Sequence, residues 1–255
     1  MAGAAEHADA AEIVARLEAL AAGSAGQVRL GRAMTDDEMS AWPVGVPEEV
    51  RAFLRRAGGF TIGDGRHVFD FNLPDNHLPV ANEYWPLQDA SASWILHSDG
   101  SATTYYVDID PESGAWGRIF SFWEEPYARL VAPGFLSWVG NLVMGVDSAL
   151  EAARSTGTAV GPAFSDWLFN SDDSLSRHPS AGAEPLPVPV ARTSGDTEIA
   201  EVAARLPDDA FLADLRAAVY PTEVPFADVL PIGETVTYSH FHGGGFLAAT
   251  LVPDL

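Results

Sequence analysis

The chain has 255 residues, of which 36 are Asp or Glu and 14 are basic, giving a formal net charge of -22. A protein of this charge has no basic patch to neutralise phosphates, which argues against binding to nucleic acid or to an anionic membrane. The absence of cysteine excludes disulfides, thiolate zinc sites and a cysteine nucleophile.

The acidity is compatible with a basic protein partner, because complementary charge speeds association, and it is equally compatible with a role in solubility alone. The first residues lack the basic segment followed by an apolar one that marks a secretory signal. No stretch of the sequence is long and apolar enough to span a membrane. The sequence therefore predicts a cytoplasmic protein.

Two helices are predicted in the first sixty residues. In residues 9–22 apolar side chains recur on one face, and Gly23 follows as a stop signal. The second helix begins at Pro47, since proline suits the first helical position and the two glutamates after it suit the positive end of the helix dipole. It ends at Gly58 and Gly59, because glycine adopts the left-handed cap conformation without steric cost.

Short strands rich in aromatic residues follow. They are predicted at residues 60–62, 67–71, 93–97, 103–108 and 117–123. The Asp99-Gly100 pair is typical of a hairpin turn, and the segment from Asp110 to Gly114 has turn chemistry. The last three strands therefore form an antiparallel meander.

A long helix is predicted next, opened by Pro133 and ending near Arg154, with Phe135 and Trp138 on its inner side. The composition then changes to Ser, Gly, Ala and Pro, which indicates a linker or long loop. The remaining predicted elements are a short helix at 164–169, helices at 199–206 and 211–219, and a hairpin of strands at 235–238 and 246–252.

These elements predict an α+β fold in which an antiparallel β-sheet meander is flanked by helices, with an α/β extension at the C-terminus. The predicted domains are residues 1–155, a linker or long loop over 156–195, and residues 196–255. The C-terminal part either extends the central sheet or forms a separate small domain.

An ordered set of short motifs occupies about residues 42–150. The set is Pro47-Glu48-Glu49-Val50, Phe53-Leu54, Ala57-Gly58-Gly59-Phe60, Trp94, Asp99-Gly100, Tyr105-Tyr106-Val107-Asp108, Gly114, Trp116-Gly117-Arg118-Ile119-Phe120 and Phe135-Leu136-Ser137-Trp138. In this order the motifs resemble the Smi1/Knr4 family, also called the SUKH superfamily. No single motif is diagnostic, and the N-terminal lead and everything after residue 156 depart from the family pattern.

The resemblance implies an α+β domain without catalytic machinery or cofactor. Many bacterial members resemble immunity proteins that neutralise toxins, often nucleases or deaminases, by direct binding. The fungal relatives are implicated in the regulation of cell-wall synthesis and in signalling. The resemblance therefore implies an immunity-type protein that binds a basic, nuclease-like toxin or, alternatively, a regulatory scaffold.

The aromatic residues of the predicted sheet are the candidates for contact with a partner. Alternation along a strand sends Tyr105 and Tyr106 to opposite faces. Most of the aromatic side chains belong to the core, and those on the outer face would anchor a partner, because Trp and Tyr are enriched in binding hot spots. The candidate partner-binding residues are Trp94, Tyr106, Trp116 and Trp123, with Glu124 and Glu125 as an acidic rim.

Two other groups of side chains have spacings that metal ions use. His240 and His242 lie on one face of the predicted strand and can chelate zinc, although no sequence signature supplies a third ligand. A metal-dependent enzyme that uses this pair is a further alternative. Asp108, Asp110 and Glu112 are too few for a calcium loop, and turn chemistry explains them.

Motifs for nucleophilic catalysis and phosphate binding are missing from the sequence. The chain has no G-x-S-x-G elbow, and Gly63-Asp64-Gly65 lacks the lysine and the hydroxyl residue of a phosphate loop. With so many carboxylates, no catalytic pair stands out. The sequence therefore favours a non-catalytic, protein-binding module.

Overall fold

The computed structural model describes residues 9–71, 93–98, 103–110, 112–122, 127–177, 182–231 and 236–251. The fold is α+β with antiparallel sheets, as predicted. The chain forms two compact units, each built from two stretches of sequence: unit 1 from Met1–His77 and Ala132–His178, and unit 2 from Leu78–Val131 and Pro179–Leu255. The predicted domain boundaries at residues 155 and 195 stay a prediction.

Unit 1 combines a small sheet with helices. Its strands, in the order β1–β2–β3, are β1 (Val28–Leu30), β2 (Gly59–Ile62) and β3 (His67–Asp70). Its helices are α1 (Ala10–Gly23), α2 (Asp36–Ser40), α3 (Glu48–Leu54), α4 (Phe135–Thr156) and α5 (Val160–Asn170). Within the described residues, no helix of either unit is long and apolar enough to cross a membrane.

Two helices of unit 1, α1 and α2, begin at a side-chain cap. The Asp9 side chain accepts a hydrogen bond from the Ala11 N–H at 3.0 Å and so caps α1. Helix α2, which the sequence analysis missed, has a capping box in which Thr35 and Glu38 bond each other's backbone N–H groups. Pro47 is the residue before α3 rather than its first helical residue.

The core of unit 1 is aromatic. The rings of Phe53, Phe71, Phe135 and Trp138 meet edge to face, with centroids 5.4 to 6.1 Å apart. Edge-to-face contacts of this kind add to the free energy of burial. Phe135 and Trp138 lie in the first turn of α4, on the buried side that the sequence predicts.

His67 on β3 links the sheet of unit 1 to α5. Its Nε2 lies 2.8 Å from Oγ of Ser165, and burial lowers the pKa of the imidazole, opposed by a hydrogen bond with the Gly161 backbone. The folded state therefore favours the neutral ring, whereas below the ordinary histidine pKa of 6.5 the imidazole of the unfolded chain binds a proton.

We expect the free energy of unfolding to fall as the pH is lowered through 6.5, and His67→Gln to make this pH dependence less steep. Urea titrations at several pH values between 5 and 7.5 measure it. Ser165→Ala is the matched control, because it removes the hydroxyl and keeps the titrating imidazole. An unchanged slope in His67→Gln would contradict the assignment.

Unit 2 consists of two antiparallel sheets. The five-stranded sheet, in the order β10–β7–β6–β5–β4, contains β4 (Ser93–Ser98), β5 (Thr104–Ile109), β6 (Trp116–Phe122), β7 (Tyr127–Ala132) and β10 (Thr222–Pro225). The four-stranded sheet, in the order β11–β12–β9–β8, contains β8 (Leu186–Pro187), β9 (Phe211–Asp214), β11 (Val236–Phe241) and β12 (Phe246–Leu251). The helices are α6 (Val188–Ala191), α7 (Thr197–Ala203) and a 3-10 turn (Phe226–Asp228).

The predicted meander is confirmed as β4–β5–β6, although the Asp99-Gly100 turn lies outside the described residues. Strand β10 comes from the C-terminal part of the chain and pairs with β7, with Thr222 opposite Leu130. One strand of the C-terminal part therefore extends the central sheet, whereas β8, β9, β11 and β12 form a second sheet.

A continuous core joins the two sheets of unit 2. Tyr106 and Phe122 of the five-stranded sheet share a buried cluster with Tyr238 and Leu247 of the four-stranded sheet. The Phe122 and Tyr238 rings are 4.7 Å apart. The face of the meander that carries these residues is thus covered by strands from the C-terminal part.

The predicted helix at residues 211–219 is wrong, because residues 211–214 form strand β9. Its spacing of apolar residues suits a helix, but β9 lies between β12 and β8 and pairs with both. This pairing overrides local propensity. In the predicted linker, α5 is longer than the short helix expected at 164–169, and β8 and α6 follow it.

Candidate functional site

The residues expected to contact a partner lie in different environments. Trp94 and Tyr106 are 5% and 4% exposed, so in this structure they offer almost no surface to a partner. Trp116, the first residue of β6, is half-buried. Trp123, Glu124 and Glu125 lie outside the described residues.

The alternation rule could not identify exposed aromatics because the meander is buried on both faces. Tyr106 points into the core between the two sheets, and Tyr105, which points the other way, is also buried. An antiparallel sheet shows the inward-and-outward pattern only when one face is solvated. Trp94, Tyr105 and Tyr106 therefore do not form a partner-binding surface in this structure.

The turn between β5 and β6 is held by Asp110. Its Oδ1 accepts hydrogen bonds from the Ser113 N–H at 2.7 Å, the Ser113 hydroxyl at 2.8 Å and the Glu112 N–H at 3.1 Å. These bonds hold the pKa of Asp110 below its usual value, and the bond from the Ser113 N–H has the largest effect. Turn chemistry therefore accounts for this carboxylate, as predicted.

The turn between β11 and β12, residues 242–245, is called the glycine turn here. Arg118 of β6 donates hydrogen bonds to the Leu215 carbonyl at 2.9 Å and to the Gly244 carbonyl at 3.2 Å. Gly244 has a φ of 76°, and a Cβ there would lie 3.2 Å from Oδ2 of Asp108. Glycine is therefore required at the point where the turn approaches the five-stranded sheet.

A buried carboxylate lies beneath the glycine turn. Asp108 is 3% exposed, and Nδ1 of His240, near the end of β11, lies against its Oδ1. Within the described residues, neither oxygen of Asp108 accepts a hydrogen bond of good geometry. Burying a carboxylate is costly unless a polar partner accompanies it. His240 is thus the partner that makes burial of Asp108 tolerable.

The two histidines do not form the predicted pair on one face of a strand. Strand β11 ends at Phe241, and His242 begins the glycine turn with a φ of 52°. The His242 ring packs edge to face on Phe246, with centroids 5.6 Å apart. In the part of the chain that the structure describes, no group of three or more His, Asp or Glu side chains could hold a metal ion.

Beside the glycine turn, Arg216 holds three carboxylates. It donates hydrogen bonds to Asp214 at 2.6 Å, Asp196 at 2.7 Å and Glu198 at 2.5 Å, and lies 4.7 Å from the Phe246 ring centroid. These bonds raise the pKa of the Arg216 guanidinium, and the bond to Asp214 has the largest effect. The group ties the first turn of α7 to the end of β9. The sequence analysis missed it, since only the Asp196 cap is a local signal.

Arginines are largely neutralised within the chain. All fourteen lie in the described ranges, and eleven of them have a carboxylate of the same chain within 4.0 Å. Most of these pairs are exposed, so each contributes little to stability. They do reduce the number of cations left to balance the remaining acidic groups.

Many exposed carboxylates have no such pairing. Those without an ion pair among the described residues include Glu12, Asp37, Glu49, Glu112, Asp166, Asp173, Glu184, Glu201, Asp209 and Asp228. The excess of acidic over basic residues is larger in unit 2, whose sequence has nineteen Asp and Glu against five Arg, a formal net charge of -14. Unit 1 has seventeen against nine, a net charge of -8.

Comparisons with known proteins add no relative. No family model, no curated protein and no solved structure matches the chain. The resemblance to the Smi1/Knr4 family therefore stays a prediction.

Proposed function

We propose that this chain is a non-catalytic protein-binding module of the immunity type, which neutralises a basic, nuclease-like toxin by direct binding. The observation that carries the proposal is the distribution of charge: eleven of the fourteen arginines pair with carboxylates of the same chain, while many exposed carboxylates have no ion pair among the described residues. A partner with a basic groove for nucleic acid supplies the missing cations. The motifs that resemble Smi1/Knr4 proteins support the immunity type.

The electrostatics favour a partner that normally binds phosphates. A surface with a large excess of one sign attracts an oppositely charged surface over distances of about 8–10 Å at physiological salt, and this raises the association rate. A nuclease groove carries the cations that would otherwise contact the nucleic acid backbone. An acidic protein that covers such a groove competes directly with the substrate.

The immunity type predicts a toxin-like gene beside this chain's gene, and we expect the association rate constant with its product to fall at least about tenfold between 50 and 500 mM NaCl. Stopped-flow fluorescence of the tryptophans measures it. A rate constant independent of salt would overturn the electrostatic part of the proposal, and absence of binding would overturn the immunity type.

Charge variants with matched controls sharpen this test. The triple variant Glu201→Gln, Asp209→Asn, Asp228→Asn neutralises exposed carboxylates of unit 2 that have no ion pair among the described residues. The matched variant Glu12→Gln, Asp37→Asn, Glu49→Gln does so in unit 1, where all three residues lie in the first turn of a helix. Because the net charge of unit 2 is the more negative, we expect the first variant to lower the association rate more. Folding stability should be unchanged in the first variant and slightly lower in the second, which loses acidic groups from helix N-termini.

Two alternatives make different predictions. A regulatory scaffold of the Smi1/Knr4 type would bind a protein other than the toxin-like neighbour. An enzyme that uses His240 and His242 with a metal would retain zinc when purified without a metal-affinity tag, and elemental analysis detects it.

A further inference from the structure

One edge of the four-stranded sheet of unit 2 carries exposed apolar side chains. Residues 185–190, called the proline edge here, comprise β8 and the start of α6. Leu186 and Val190 are 38% and 55% exposed, whereas Val188 between them is buried. Large apolar side chains exposed close together on a surface commonly mark a site of protein interaction.

The prolines of this segment determine how a partner can bind. Val188 donates its N–H to the Ala210 carbonyl at 2.9 Å, so residues 186 and 188 face β9. Backbone N–H groups point alternately to the two sides of a strand, so the residues that face away from β9 are 185 and 187. Both are prolines, which have no N–H group to donate to another strand. The edge therefore does not accept an added strand and binds through its side chains.

The segment is preorganised and has an acidic rim. Prolines fix φ at positions 185, 187 and 189, so little backbone entropy is lost on binding. Glu184 lies directly before the segment. Asp209 lies directly before Ala210, whose carbonyl accepts the hydrogen bond from Val188. Both carboxylates are exposed, and neither forms an ion pair within the described ranges.

We propose that the proline edge is the docking surface for the basic partner, with Leu186 and Val190 as apolar anchors and Glu184 and Asp209 as the acidic rim. This inference rests on the proposed function and locates its binding site. The occupant is a basic protein surface that presents an aliphatic or aromatic side chain between Lys or Arg residues. A second copy of this chain is disfavoured, because each copy of unit 2 has a formal net charge of -14.

The test measures binding of the full chain to the product of the predicted neighbouring toxin-like gene, by titration calorimetry. Leu186→Ser and Val190→Ser should each weaken binding about tenfold, and the double variant about a hundredfold. Because these substitutions remove apolar contacts and change no charge, the loss of affinity should be the same at low and high salt. Glu184→Gln with Asp209→Asn should instead reduce the salt dependence.

The matched control is Val219→Ser, which removes an apolar side chain that is 61% exposed and lies outside the proline edge. We expect it to bind like the wild type, and urea unfolding checks that all variants are equally stable. If the wild type binds and the double variant binds equally well, this inference is overturned while the proposed function stands. If the wild type does not bind, both fail. Self-association that the double variant abolishes in sedimentation would overturn the assigned occupant.

Discussion

Replacing His240 with alanine should lower the free energy of unfolding by roughly 3–5 kcal/mol, because it leaves the carboxylate of Asp108 buried without a partner. Asp108 is 3% exposed, and alanine at position 240 offers no polar atom to its Oδ1. Urea unfolding at neutral pH, followed by tryptophan fluorescence, measures the change.

A double-mutant cycle isolates the pair. Asp108→Asn removes the buried charge, so His240→Ala should cost much less in that background. His242→Asn is the matched control, since this residue lies two positions away in the glycine turn and asparagine tolerates its φ of 52°. If His240→Ala costs the same with and without the Asp108 carboxylate, the pair is not what stabilises the turn.

Replacing Gly145 with alanine should destabilise unit 1 by roughly 1–3 kcal/mol, the usual cost of overpacking a tight contact. Gly145 is buried in α4, and a Cβ there would overlap the indole ring of Trp167 in α5. The higher helix propensity of alanine recovers at most about 1 kcal/mol, so packing dominates. Thermal unfolding followed by circular dichroism measures the loss.

Gly161→Ala provides the control for this substitution. Gly161 is a buried glycine of α5, and its added Cβ would meet only Oδ1 of Asp64, at an ordinary 3.6 Å. The variant should be as stable as the wild type or slightly more stable. Equal destabilisation of both variants would mean that the loss comes from the backbone and not from Trp167.

The features predicted from the sequence are those with local signals. The α+β class follows from periodicity, and so do α1, α4 and the β11–β12 hairpin, whose glycines mark the turn. Helix α2 had a local signal as well, in the Thr35 and Glu38 capping box. Its five residues were too few to show a helical period.

The features missed depend on contacts between distant parts of the chain. Strand β9 has the apolar spacing of a helix and becomes a strand because β12 and β8 pair with it. Asp108 was interpreted with the turn that follows it, and its contact with His240 follows only from the packing of one sheet on the other. No periodicity encodes such a contact.

The candidate partner-binding residues stay a prediction, of which burial bears on two. The sequence identified aromatics of the meander as anchors, and burial on both faces leaves Trp94 and Tyr106 inaccessible in this structure. Leu186 and Val190 lie in a segment that composition assigned to a linker. Prolines there mark a sheet edge as well as a loop, and only strand pairing distinguishes the two.

The interleaving of the two units affects the order of events during synthesis. Strands β4 to β7 leave the ribosome well before β9, β11 and β12, whose sheet covers Tyr106 and Phe122. At 5–20 residues per second, the interval of about 120 residues between the ends of β7 and β12 lasts roughly 6–24 seconds. During that time the sheet that covers the Tyr106 and Phe122 side chains is not yet complete, and the excess of acidic residues opposes aggregation through mutual repulsion.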